Sequence, residues 1–585
     1  MTAGVDIMSK TPNYDSAVKK ILDQLQPGER TCALTGEIWI MTDEEIGWYR
    51  RFNVPPPKLS PRARLRLLLG FASGLALWWK HHAKTGKPIL SFVHPDSPFQ
   101  VISDKEWMSE DFSRDESFLD SSRPFFPQML KLAHSVPVSA CRDDGSNKNC
   151  FGVDYINSEN SYMVFSLCGA KNCFYPALAL YSEDSVDVTN TKNSQQCYHT
   201  NRVNKMFRCA FSFECRDCLN SIFLFDCRNC EFCFGATNAR NKKYLWFNEQ
   251  LAEDEWKKRR AEVDLSCYSV LIEYQEKFNA LVRDSVWPEN FNVGSDDCRG
   301  EYIEDSTRCD NCYWLGKSTD LYWCWVSEEH RDCAFSAWTG WGGDSYYTCD
   351  VVGGGPLRFC FRCWRCVEME YCMDCYDCEF CFGCVGLKKK RFHIFNKEYS
   401  KEEYWQKVDE LKCAMLDRGE YGEYFPASFS ENGFEYAMYD AFFGYSEKDL
   451  EQYQAPRFDP RRGAVVSASG NNDSQPIDIN SIPDCLSQID EATFVGKPIL
   501  DPVLGRPFSV VAGEMAFYRS QGYSFPREHF LRRLKASIRT SNSPEEEKAL
   551  CGSCGKAITT YKNSTFSKRK VFCKECYLKF LEQNN

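Results

Sequence analysis

Histidine is scarce in this chain: eight in 585 residues, scattered at 81, 82, 94, 134, 199, 330, 393 and 529. No cysteine is singled out beside one of them, and there is no phosphate loop or dinucleotide fingerprint, so no local motif assembles a catalytic set. Long apolar runs are missing too. The longest uncharged stretch, Leu67 to Trp79, has 13 residues, short of the ~20 that span a bilayer, and reads as a buried helix or interfacial segment. The opening MTAGVDIMSKTPNYDS lacks the basic and apolar regions of a secretory signal. Positive charge is not in excess: 71 Lys and Arg against 82 Asp and Glu give −11, which argues against a surface that grips nucleic acid all over. These absences point to a cytoplasmic protein with no membrane span that is not an enzyme, a thiol redox role being the residual alternative.

What the chain does have is 33 cysteines, with 43% hydrophobic and 15% aromatic residues, too many for disorder to be the main state. In the cytoplasm such cysteines are expected to be reduced thiols, metal ligands or small core residues. They are arranged in a duplication. At an offset of 148, Cys215, Cys218, Cys227, Cys230 and Cys233 fall on Cys363, Cys366, Cys375, Cys378 and Cys381, Cys150 on Cys298, and Gly152 on Gly300. Within each half cysteines recur at multiples of three and at twelve, as in Cys360, Cys372 and Cys384, with Ser185, Ser221, Ser336 or Thr348 standing in where one is missing. Neither a 3.6 nor a 2 period produces this rhythm. A narrow β-solenoid of about twelve residues per coil does, with one small residue pointing inward at each corner and aromatic residues such as Tyr371 and Phe380 outside.

A second duplication, at offset 469, joins the chain ends. Gly36, Glu45, Trp48, Tyr49 and Arg50 fall on Gly505, Glu514, Phe517, Tyr518 and Arg519, and His82-x-x-Thr85-Gly86 falls on Cys551-x-x-Cys554-Gly555. The last copy carries Cys551-x2-Cys554-x18-Cys573-x2-Cys576, the spacing of a zinc ribbon, in which two knuckles each present two thiolates to one tetrahedral ion. Four thiolates leave no open coordination position, so the expected cofactor is one structural zinc. By offset, the related copies offer Cys32, Thr35, Ser60 and Ala63; His82, Thr85, Ser103 and Glu106; and Asp501, Leu504, His529 and Arg532. None is a credible ligand set. Metal-free copies held by packing of Trp48, Tyr49, Phe517 and Tyr518 are expected, with His82 and Glu106 as a weak site at most. Two basic clusters, Arg50, Arg51, Lys58, Arg62, Arg64 and Arg66, and Arg519, Arg527, Arg532, Arg533, Lys535 and Arg539, read as solvated faces rather than as phosphate contacts.

The predicted fold class is mainly β with helical insertions: two homologous narrow β-solenoids flanked by zinc-ribbon-like modules. The predicted order is a lead-in (1–28) with a short helix at Ser16 to Leu25, degenerate tandem modules (29–110), a connector (111–145) and a first solenoid (146–249). A helical insertion (250–293) broken near Asp264, a second solenoid (294–395) and a helix (396–418) opened by the capping box Ser400 to Glu403 follow. An irregular aromatic segment (419–455), a flexible linker (456–490), a degenerate module (491–540) and the ribbon (545–585) complete it.

Phe125-Phe126, Asn172-Cys173, Phe232-Cys-Phe-Gly235, Ile394-Phe395-Asn396-Lys397 and Glu420-Tyr-Gly-Glu-Tyr-Phe-Pro426, together with the final ribbon, resemble the recurrent motifs of a family of large cysteine-rich proteins of small-genome bacteria. The terminal modules are similar to a zinc-binding ribbon family whose pattern ends in Cys-Pro-x-Cys-Arg, from which Ser60-Pro61-Arg62-Ala63-Arg64 departs. The resemblance implies architecture and no activity. The functional expectation is a non-catalytic binding or scaffold protein docking a macromolecule, with protein favoured over nucleic acid. The alternative is a thiol-rich metal-binding or metal-storage protein that uses solenoid cysteines such as Cys372, Cys375 and Cys378.

Overall fold

The computed structural model describes residues 9–72, 74–467, 470 and 474–585. The chain is mainly β, with 14 α-helices among the described residues. Its strands are dominated by two ladders of parallel pairing. In the first, running from Asp143 to Trp246, residue i lies beside i+12, as in Glu183 with Gln195 and Phe234 with Trp246. The second runs from Val293 to Ile394 with the same register, as in Glu379 with Arg391. Each ladder opens with an eleven-residue step: Phe151 pairs Tyr162 but Gly152 pairs Val164, and Arg299 pairs Asp310 but Gly300 pairs Cys312. Both shifts fall on a glycine because the facing backbone is too close for a side chain. A Cβ at Gly152 or Gly300 would lie 2.2 or 2.1 Å from the carbonyl oxygen of Val164 or Cys312.

A three-residue unit explains the cysteine rhythm. In Phe174-Tyr175-Pro176 and its repeats, the first residue bridges to the next rung: Phe174 N–H donates to Ser185 O (2.9 Å) and Asp187 N–H to Phe174 O (3.0 Å). The second is left-handed, at φ near +50°, as in Asn172, Tyr175, Asp184, Asp187 and Asn229. Asn and Asp tolerate that region best, and they recur one residue before the inward position, as in Asn172-Cys173, Asp226-Cys227, Asn311-Cys312 and Asp377-Cys378. The third residue points inward, where its polar atom both donates and accepts. Ser185 Oγ donates to Glu183 O (2.7 Å) and accepts from Cys197 N–H (3.0 Å). Cys366 Sγ donates to the carbonyls of Trp364 (3.4 Å) and Cys375 (3.3 Å) and accepts from Cys378 N–H (3.5 Å). Cysteine and serine therefore replace one another because either adds a hydrogen bond to the backbone at the corner, which the valines and alanines at other corners, such as Val188 and Ala179, do not. Cys366→Ala is expected to cost about 2 kcal/mol, through an unpartnered amide and a small void, and Cys366→Ser about 1 kcal/mol or less. Urea unfolding of the two variants measures the difference.

Both ladders end in the same reversal. Phe247-Asn248 and Phe395-Asn396 are left-handed at both residues, two-residue hairpin turns that lead into antiparallel pairs. Helices follow. After the first ladder come Glu253–Ala261 and Tyr268–Asp284, and after the second Lys401–Asp417, whose capping box at Ser400 and Glu403 is formed. The lead-in differs from the predicted Ser16 to Leu25 helix. It is Pro12–Gln24, started by proline in its first turn, with the Asn13 and Tyr14 amides bound to the Asp409 carboxylate at 3.2 and 2.8 Å.

The aromatic segment contains short helices, Met438–Phe443 and Glu447–Tyr453, and lies on the second ladder, where Tyr424 stacks on Tyr347 (4.9 Å) and Tyr421 meets Tyr371 (5.7 Å). Of the expected linker, residues 468–469 and 471–473 lie outside the described residues, while Ile479, Ile482 and Leu486 are buried. Two cysteines expected as thiols, Cys267 and Cys485, form a disulfide across 218 residues. It joins the helical insertion to this segment, a pairing that no spacing in the sequence reveals.

The terminal modules dock crosswise, those at the N-terminus on the second ladder and those at the C-terminus on the first. Glu45, Tyr49 and Arg64 form one buried cluster, with Arg64 to Glu45 at 2.9 Å and the Arg64 guanidinium 3.5 Å from the Phe335 ring centre. Their counterparts at offset 469 are Glu514, Tyr518 and Arg533. Tyr518 donates to Glu514 (2.7 Å) and Arg533 to Asp187 (2.7 Å), and Asp187 is the counterpart of Phe335 at offset 148. Tyr49 meets Tyr346 as Tyr518 meets Tyr198, again one equivalent pair matching another.

Candidate metal centre

The last module starts from a hairpin, Glu546–Leu550 paired with Ala557–Tyr561. Its turn is closed by Cys551 N–H to Lys556 O (2.8 Å) and Gly555 N–H to Cys551 O (2.9 Å). Gly555 sits at φ +74°, a conformation that lets Cys551 and Cys554 face the same point. The strand Lys570–Phe572 then delivers Cys573 to the N-cap of helix Lys574–Asn584, with Cys576 in its first turn. The four sulfurs lie within 4.8 Å of one another, and Cys554 Sγ is 3.9 Å from Cys573 Sγ. This cluster could hold a metal ion. Burial resists ionisation of Cys551, but donation from the Cys554, Cys573 and Ser553 amides outweighs it and brings the thiol down to about 6. Cys573 is favoured as thiolate by the Cys576 amide, yet burial and the three neighbouring thiols push it up to about 12. A cation would relieve that crowding.

The other modules repeat this backbone and replace the ligands. Cys32 and His82 make the same two knuckle bonds, at 2.8–2.9 Å, and Gly505 N–H donates to Asp501 O at 2.9 Å. Ser60, Ser103 and His529 each occupy the N-cap of the following helix, as Cys573 does. A polar link joins hairpin to helix in each. Ser60 Oγ donates to Glu37 (3.3 Å) and Arg62 pairs with Glu37 (3.6 Å). His82 Nδ1 accepts from the Lys84 and Thr85 amides (3.2 and 3.4 Å), so Nε2 carries the proton toward Glu106 Oε2 at 2.7 Å. Ser103 and then His82 hold the Glu106 carboxyl down at about 2. Asp501 accepts from His529 N–H (2.9 Å) and pairs with Arg532 (3.0 Å). Packing of Trp48, Tyr49, Phe517 and Tyr518 is thus joined by hydrogen bonds at the positions the ligands would occupy.

Among the described residues, one further metal-like group occurs, Cys267, Asp484 and Cys485, and its sulfurs are joined as the disulfide. Cys372, Cys375 and Cys378 are fully buried, and their sulfurs donate to ladder carbonyls. The basic clusters are largely consumed inside the molecule. Arg64 and Arg533 are buried, Arg51 pairs with Asp332, Arg66 with Glu545, Arg519 with Glu491, and Lys535 and Arg539 with Asp440.

Sequence reasoning missed how the last module is anchored. Tyr577 bonds Asp226 and accepts from Arg240 (3.0 Å), and Asn542 N–H donates to Tyr302 (2.9 Å) while its side chain donates to Glu301 (3.1 Å). The signal was present in the offsets. Trp107, the counterpart of Tyr577, lies under Lys388 (3.9 Å), the counterpart of Arg240.

Burial pushes Glu301 up to about 8, against donation from Asn542, and Glu214 up to about 7, against Arg202 and the Tyr302 hydroxyl. Both exceed the ordinary value of 4.5, so the native state binds more protons than the unfolded chain between these limits. Their contribution to stability is fully present below that ordinary value and is lost as pH rises through 7–8. The melting temperature is expected to rise on going from pH 8 to pH 6, with a shallower slope in Glu301→Gln. Calorimetry at several pH values checks this.

No helix among the described residues is long and apolar enough to cross a membrane. Comparison with known proteins finds no family model and no curated protein that matches the chain.

Proposed function

We propose that this chain is a non-catalytic binding or scaffold protein, built as two narrow β-solenoids of twelve residues per coil and fastened by four modules of zinc-ribbon type. One module, through Cys551, Cys554, Cys573 and Cys576, holds a single structural zinc. The observation that carries this reading is the set of replacements. Where three copies lack the set of four thiolates, a hydrogen bond or ion pair fastens the hairpin to the helix start, so the shared task of the site is to fix a docked module. Zinc suits the fourth copy because four thiolates at about 2.3 Å from an ion lie about 3.8 Å apart, close to the Cys554 to Cys573 spacing.

A thiolate-bound metal store along the ladders is the competing reading, since Cys372, Cys375, Cys378 and Cys381 occupy successive inward positions of one rung. Ladder thiols that already complete the backbone hydrogen bonding favour packing over storage. A protein partner suits the chain better than nucleic acid because its arginines are paired internally. The test is crosslinking of the zinc-loaded protein in lysate of its own cells, with and without polyanion competitor. A specific protein adduct that survives the competitor supports the reading. Turnover of a substrate by the folded protein, or an adduct with nucleic acid alone, overturns it.

A further inference from the structure

The one disulfide among the described residues, Cys267 to Cys485, lies on an antiparallel bridge between the helical insertion and the segment after the aromatic helices. That bridge is held by bonds that do not involve sulfur. Tyr268 N–H donates to Asp484 O (2.9 Å) and Leu486 N–H to Ser266 O (3.0 Å). They flank the two cysteines as in a non-hydrogen-bonded antiparallel pair, the kind whose side chains lie closest. The Asp484 carboxylate adds two more bonds, accepting from Ser269 N–H (2.9 Å) and Ser269 Oγ (2.7 Å). These four hydrogen bonds keep Cys267 and Cys485 side by side whether or not their sulfurs are joined.

Carboxylates stand beside both sulfurs. Asp484 Oδ2 is 3.9 Å from Cys485 Sγ, and Asp264 Oδ2 is 3.5 Å from Cys267 Sγ. The ligand atoms of Cys267, Asp484 and Cys485 all lie within 4.8 Å of one another, the spacing found in the four-cysteine cluster. Cys267 also occupies the N-cap of the 17-residue helix Tyr268–Asp284, where the helix dipole favours a thiolate over a thiol. Arg527, its guanidinium 4.4 Å from the Tyr268 ring centre and its charge acting on Asp484, offsets part of the negative charge gathered here.

We propose that this pair is a second, redox-gated zinc site. Oxidised, it is the disulfide; reduced, Cys267, Cys485 and Asp484 hold one zinc ion, with Asp264 or a water in the fourth position. A dithiol reductant opens it. One thiolate of the reductant attacks Cys485 Sγ, which belongs to a partly exposed residue, the bond between the two sulfurs breaks, and Cys267 leaves as a thiolate at the helix start. The second thiol of the reductant then attacks the mixed disulfide, releasing Cys485 and closing the reductant into its own disulfide, so two electrons pass to the pair. Zinc binds both sulfurs as thiolates, and their two protons go to solvent. Two thiolates with a carboxylate suit zinc, whereas calcium and magnesium take oxygen ligands. Either form ties the segment that buries Ile479, Ile482 and Leu486 to the helical insertion, and the zinc form does so under conditions that reduce an accessible disulfide. Cys551, Cys554, Cys573 and Cys576 take no part, so the site stands or falls apart from the zinc of the terminal module.

The experiment is elemental mass spectrometry of the full zinc-loaded chain before and after reduction with dithiothreitol, which is removed under argon before zinc is added and the unbound metal washed away. Thiols are counted in parallel after denaturation in chelator. One zinc per chain is expected before reduction, and two after it in protein that counts all 33 cysteines as thiols. Folded Cys485→Ser and Cys267→Ser proteins should stay at one zinc throughout. Cys554→Ser should hold none before reduction and one after it. A reduced wild-type chain with 33 thiols that still holds one zinc overturns the proposal. A second zinc that persists in folded Cys485→Ser protein overturns it too, and so does a second zinc already present while the chain counts 31 thiols.

Discussion

Removing the proposed zinc from the terminal module, by a strong chelator or by Cys554→Ser, is expected to unfold residues 545–585 while leaving both ladders paired. A structural zinc contributes on the order of 10 kcal/mol or more to a module of this kind, far above the stability its own small core provides. The hairpin offers little else, since Leu550 is 69% exposed and few of its residues are fully buried. Losing the cluster frees Cys573 from the helix start and with it the helix that carries Tyr577 to Asp226 and Arg240. Hydrogen exchange followed by mass spectrometry should show fast exchange confined to 545–585 and the facing surface of the first ladder. The same treatment is expected to leave the modules at His82 and Asp501 unchanged, because the His82 to Glu106 hydrogen bond and the Asp501 to Arg532 ion pair cross-link them.

Arg533→Ala is expected to be the most destabilising single substitution outside the metal centre, by about 3–5 kcal/mol, because it leaves charged partners buried and unpaired. Arg533 binds Asp187 at 2.7 and 3.1 Å and approaches Glu514 at 3.5 Å, and Asp187 and Glu514 are fully buried. Burial pushes Glu514 up to about 7, against Arg533 and Tyr518, so it can take a proton when its partner is lost. The double variant Arg533→Met with Asp187→Leu should recover most of the loss, since it removes the charges together. Denaturant unfolding of the single and double variants measures both. The counterpart Arg64 sits against Phe335 where Arg533 meets Asp187, so Arg64→Met is expected to cost less.

Much of this architecture was legible in the sequence, because the constraints that matter are periodic. The inward corner of each rung takes a side chain that fits a narrow interior, and cysteine, serine and threonine, which also bond the backbone there, recur often enough at twelve-residue intervals to show the period, with Ala179, Val188 and Leu224 among the apolar residues at other corners. Gly152 and Gly300, aligned at offset 148, mark the one rung with eleven residues. The four knuckles were readable because a turn glycine and its hydrogen bonds persist where the ligands do not. The left-handed residue before each inward corner was also there to read, in the Asn-Cys and Asp-Cys pairs, and was overlooked.

What the sequence hid are contacts between distant parts of the chain. The Cys267 to Cys485 disulfide, the Asp409 carboxylate that starts the first helix, and the crosswise docking of the modules depend on residues separated by 218 or more positions. Offsets disclose that two segments are related, but not which ladder each one packs against. The docking becomes visible only when Arg64 is found on Phe335 and Arg533 on the equivalent Asp187.

The most direct test of the central claim, one structural metal and ladder thiols that serve packing, is elemental mass spectrometry with a thiol count on protein purified without oxygen. The account predicts one zinc per chain, lost in Cys554→Ser. It also predicts 31 thiols after denaturation in chelator, the 33 cysteines less the disulfide pair. Several metal ions per chain that persist in Cys554→Ser and fall when Cys372, Cys375 and Cys378 are replaced by serine would contradict it, and would make the ladders themselves the metal site.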